Sequence, residues 1–112
     1  MDNKRKIELF ELVLNELKND KVSNYDTGMC QVITYLYYNS KITVYEQYPL
    51  KEFLKDNKPI AKPNTLYFEF TQNKYWINSR YWWTEIHIAP ETKQIRIEFL
   101  EALIYNLTNN II

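Results

Sequence analysis

The chain has 112 residues, 46% hydrophobic, 16% aromatic and 25% charged, with 14 Lys+Arg against 14 Asp+Glu and a formal net charge of zero. That length suits a single domain, residues 1–112, with one real core, and the charge balance argues against bulk binding along a nucleic-acid backbone, which needs a basic excess. One cysteine, Cys30, excludes an intramolecular disulfide; one glycine, Gly28, cannot build a Gly-rich phosphate loop; and one histidine, His87, cannot complete a Cys/His zinc site with that cysteine.

The opening Met-Asp-Asn-Lys-Arg-Lys leads into a run broken by Glu8 and Glu11, unlike a signal peptide. No segment approaches the roughly 18 consecutive apolar residues of a membrane span. The expectation is a soluble cytoplasmic protein that calls for no cofactor and no metal.

Residues 4–19 read as an amphipathic helix, with Ile7, Phe10, Val13, Leu14 and Leu17 at helical spacing. Asp26-Thr27 suits the cap of a second helix over 28–39, whose face is Met29, Val32, Ile33 and Leu36. Cys30 falls beside that stripe and reads as a small buried hydrophobe; a nucleophilic role would need a basic partner, for which His87 is the candidate. Thr43 and Glu46 have capping-box spacing, so a helix should start at Val44. Pro49 removes an N–H there, giving one bent helix or two short ones ending near Asp56. The two prolines in 57–65 mark an exposed, extended loop.

Leu66, Phe68 and Phe70 alternate with Tyr67 and Glu69, the pattern of a strand. A turn at 71–74 would fold it back on Tyr75-Trp76-Ile77 as a short antiparallel hairpin. Further on, two readings stand. Residues 85–88 and 94–99 alternate and could form a second hairpin. Phe99, Leu100, Leu103, Ile104 and Leu107 instead mark a helix face, for a helix from Lys93 or Arg96 to Asn106. Residues 109–112 are expected to fray. The fold class that follows is α+β: a mostly helical domain with one small hairpin.

Candidate chemistry concentrates in Lys74–Trp83, which holds all three tryptophans and two of the ten tyrosines, with Lys74, Asn78 and Arg80 interleaved. Each such ring buries roughly 150–250 Å², so the stretch either builds the core or faces a partner. Aromatic faces beside an Arg fork suit a flat, anionic ligand, since guanidinium both pairs with phosphate and stacks on rings. The ligand-binding candidates are Trp76, Asn78, Arg80, Tyr81, Trp82, Trp83 and His87. Arg96 is next, with its stem over apolar surface or its head on an acid such as Glu101. No catalytic constellation is legible: Ser79 lacks a glycine-bounded elbow, and Glu69 and Glu85 are the only carboxylates worth inspecting as acids or bases.

Gly28-Met29-Cys30, the late Tyr81-Trp82-Trp83 and the closing Arg96-Ile97-Glu98-Phe99-Leu100 together resemble a set of small bacteriophage and prophage proteins. Those carry a Gly-x-Cys helix, a Tyr-Trp-aromatic stretch and a final Arg-Ile-x-Phe-Leu helix. The resemblance implies a helical closing segment and a non-enzymatic counter-defence protein acting in an infected bacterial cell. Its partner would be a nucleotide-type immune signal that it sequesters, or a host defence protein that it inhibits with the aromatics as anchors. Sequestering proteins commonly form sites between subunits, so a homo-oligomer fits that class, although no heptad or self-complementary patch is legible.

Overall fold

The computed structural model describes residues 1–19, 29–72 and 92–111, and among these the chain is helical: α1 (Asn3–Lys18), α2 (Met29–Tyr38), α3 (Val44–Asp56), α4 (Leu66–Thr71) and α5 (Thr92–Thr108). No strand occurs among the described residues, which overturns the α+β expectation in favour of an all-helical domain.

The first three helices follow the pattern of their apolar residues. Asp2 caps α1 by accepting from the Arg5 N–H at 2.8 Å, and Leu9, Phe10, Val13 and Leu17 are buried along one face. Ile33 and Leu36 of α2 and Leu50 and Leu54 of α3 join them. The α3 start is the one its sequence announces: the Glu46 carboxylate reaches back to accept from the Thr43 N–H at 3.0 Å. Pro49 lies inside α3, which runs through it as one helix. The cap expected at Asp26-Thr27 lies outside the described residues, as does the side chain of Cys30.

The Leu66–Phe70 segment is where alternation misleads. Thr65 Oγ1 accepts from the Phe68 N–H at 3.0 Å, a side-chain cap that starts a helix. On that helix Tyr67 is fully buried, while Leu66 and Phe70 are half-buried against the core. These three sit at i, i+1 and i+4, a helical face hidden in six residues that also alternate. The hairpin's other arm, Tyr75-Trp76-Ile77, lies outside the described residues.

α5 resolves the ambiguity of the closing segment. Gln94–Phe99 alternates because this helix is buried on several sides: Ile95, Arg96, Ile97, Phe99, Leu100, Leu103, Asn106 and Leu107 are all covered. Its main neighbours are α1 and α4. Of residues 109–112, expected to fray, 109–111 are described and carry hydrogen bonds back to the last turn. Ile111 N–H donates to the Asn106 carbonyl at 2.8 Å and Asn110 N–H to that of Leu107 at 3.3 Å, with Asn110 left-handed at φ 55°. α2 ends the same way: Lys41 N–H donates to Leu36 and Ser40 N–H to Tyr37, with Ser40 at φ 58°.

Candidate functional site

Trp76, Asn78, Arg80, Tyr81, Trp82, Trp83 and His87 all lie outside the described residues, as does Glu85. The structure describes the two elements from which that stretch departs and to which it returns, and these are joined by specific polar contacts. Glu98 of α5 places one carboxylate oxygen, Oε1, against the first two amides of α4, accepting from Leu66 N–H at 3.1 Å and Tyr67 N–H at 3.3 Å. Thr65 Oγ1 takes the third amide, and the Thr65 carbonyl accepts from Glu69 N–H at 3.1 Å. The N–H groups of the first three residues of α4, which have no intrahelical partner, are thus all met, and the negative charge sits at the positive end of the helix dipole.

Apolar packing backs the polar clamp. The Tyr67 ring meets Phe99 edge-on, with centroids 5.5 Å apart and planes at 82°. The Tyr67 hydroxyl donates to the Pro59 carbonyl at 2.9 Å, and burial holds its pKa above the usual tyrosine range. The 57–65 loop is therefore not wholly exposed: Lys58, Ile60 and Lys62 face solvent, but Pro59 is buried beneath α4. Lys58 is held below the ordinary lysine pKa by desolvation.

Arg96 was expected to lie over apolar surface or to pair with Glu101. It is fully buried, and desolvation lowers its pKa to about 10. Glu101 instead lies 3.9 Å from Lys18 across the α1–α5 contact. Glu69 is exposed on α4. Among the described residues no group of three or more His, Cys, Asp or Glu is placed to hold a metal ion, and no helix is long and apolar enough to cross a membrane.

A second aromatic feature escaped the sequence reading. Tyr38, Tyr45 and Tyr48 are 77%, 86% and 68% exposed. The signal was present in the register of α3, where Tyr45 and Tyr48 point away from Leu50 and Leu54, but a lone tyrosine in a sequence does not declare its side.

Compared with family models, curated proteins and solved structures, the chain matches none.

Proposed function

We propose that this chain is a non-enzymatic binding protein whose recognition element is the aromatic stretch 74–83, carried between α4 and α5. The observation that supports this reading is the clamp just described. A binding segment works best when its ends are fixed by rigid elements, because less conformational freedom is then lost on binding. Glu98, Tyr67 and Phe99 fix both elements at once. The composition of the stretch then favours a flat anionic ligand: Trp76, Trp82, Trp83 and Tyr81 supply ring faces, Arg80 a fork for phosphate, and Asn78 and His87 hydrogen bonds.

The ligand proposed is a nucleotide-type immune signal, sequestered in an infected bacterial cell. The resemblance to small phage and prophage proteins supports the counter-defence role. The test is a thermal-shift screen of the purified chain against cyclic and linear oligonucleotide signals, repeated with Arg80→Ala and Trp82→Ala. A stabilising shift in the parent that Arg80→Ala abolishes at unchanged intrinsic melting temperature supports sequestration. No shift with any nucleotide, together with stable co-purification of a host defence protein, would replace the nucleotide by a protein target.

A further inference from the structure

α4 is held in shape by groups from outside itself. A helix of six residues sets few internal hydrogen bonds against a costly first turn, so away from the core it does not persist in water. Glu98 of α5 takes the Leu66 and Tyr67 amides, and Phe99 of the same helix meets the Tyr67 ring. Lifting α4 from α5 breaks these contacts at once and exposes Tyr67, which is now fully buried. The bond from the Tyr67 hydroxyl to the Pro59 carbonyl ties the preceding loop into the same movement. Undocking and unfolding of α4 are therefore one event.

The rest of the described fold is joined by contacts that do not pass through α4. Among the described helices α4 packs chiefly on α5, whereas α1 packs on α5 and on α2, and α2 on α3. α3 closes its own end, where Asn57 Nδ2 donates to the Phe53 carbonyl at 2.9 Å. The movement thus has a boundary at Asn57, and beyond Thr71 the chain leads on to the 74–83 stretch.

We infer that α4 is an order–disorder switch: docked and helical, or undocked and unfolded, with Glu98 as its latch and the α1–α5 pair intact in both states. Docked, it fixes the start of the aromatic stretch; undocked, it releases it. A ligand that needs that start fixed draws the equilibrium towards the docked form. This use of the switch rests on the reading of 74–83 as the recognition element, whereas the switch itself is tested in the free chain.

Native-state hydrogen exchange of the full chain over a series of low urea concentrations measures it, alongside Glu98→Gln and Val13→Ala. In the parent, the amides of Tyr67, Phe68, Glu69 and Gln72 should share one opening equilibrium. It should be more populated than global unfolding and depend less steeply on urea, because less surface is exposed. Val13 is buried in α1, which keeps its packing in both states of α4. Val13→Ala should then lower protection of the α1 and α5 amides about tenfold or more and leave the α4 amides unchanged. Glu98→Gln weakens the docked form relative to every open one, so it should lower protection in α4, α1 and α5 by a common factor. α4 amides that fall with those of α1 in Val13→Ala open only with the whole fold, and overturn the inference. So do α4 amides with unrelated opening equilibria, the mark of fraying from one end. Undiminished α4 protection in Glu98→Gln overturns it as well, by removing the latch. If the nucleotide screen fails while the expected exchange is seen, the reading of 74–83 falls and the switch stands.

Discussion

Ser40 and Asn110 hold the same place in two helix ends, and they are not equally suited to it. Both adopt left-handed backbone, at φ 58° and 55°, so that the following amide can reach back across the last turn. A β-carbon in that region costs about 1 kcal/mol or more, which asparagine tolerates better than serine. Ser40→Gly should therefore raise stability by about 0.5–1 kcal/mol, read as a higher urea midpoint at unchanged slope, and Asn110→Gly should gain less. An equal or negative effect of Ser40→Gly would mean that the αL residue carries no strain. At the same scale, Glu46 serves two helices. Its carboxylate takes the Thr43 amide, and both its oxygens accept from Arg5 of α1, Oε1 from Nη2 at 3.2 Å. The Arg5 hydrogen bond, then the Thr43 amide, hold its pKa down to about 2 from 4.5. A depressed carboxylate pKa stabilises the fold above the unfolded value and loses that contribution as pH falls through the folded one. The parent should thus lose stability relative to Glu46→Gln between about pH 4.5 and 2, by acid titration of the two side by side. Added salt should shrink the difference, because Arg5 is open to solvent. Parallel curves would remove Glu46 from the acid response.

α4 depends on a residue far from it in sequence. Six residues are too few for a helix to persist alone in water, and this one has its first two amides on Glu98. Hydrogen bonds to a charged acceptor are worth roughly 1.5–3 kcal/mol each in context. Glu98→Ala should accordingly cost about 1–3 kcal/mol, and Glu98→Gln, which keeps an acceptor oxygen, distinctly less. Should the clamp also serve the proposed ligand, Glu98→Ala will weaken its binding although Glu98 lies outside the 74–83 stretch. Equal midpoints for parent and Glu98→Ala would show that α4 stands without the clamp. This dependence explains what the sequence could and could not reveal. The α1 stripe and the Thr43–Glu46 box are local, so spacing alone exposes them. Thr65 caps only the third amide of α4; the first two go to a carboxylate more than thirty positions on, and in sequence Leu66–Phe70 obeys a two-residue period as well as a helical one. The early part of α5 was obscured for another reason: burial on several sides leaves no polar stripe to set the period. At the candidate site, residue types could be named from the sequence, but the exposure of Tyr45 and Tyr48 needed the register of α3 against its core.

At the scale of the whole molecule, α1 and α5 form the principal contact, and Leu9, Phe10, Val13 and Leu17 of α1 and Phe99, Leu100, Leu103 and Leu107 of α5 are all essentially sealed from solvent. Stability should be graded around this pair. Native-state hydrogen exchange should find the slowest amides in the middle of α1 and α5, and faster ones in α4 and in the last turn of α3. Leu103→Ala should cost about 2–5 kcal/mol, a large share of the 5–15 kcal/mol typical of a domain. Slowest exchange in α3 would mean that the α1–α5 pair is not the stable centre.

That pairing has a consequence for how the chain is made. The apolar face of α1 is translated well before α5, the helix that it mainly packs against. About 74 residues separate Lys18 from Thr92, and at roughly 5–20 residues per second the ribosome takes several seconds to supply the cover. Throughout that interval Leu9, Phe10, Val13 and Leu17 lack the helix that is their main neighbour. A nascent chain stalled before Thr92 should therefore bind chaperones at α1, and one extended until α5 is clear of the ribosome should bind them less.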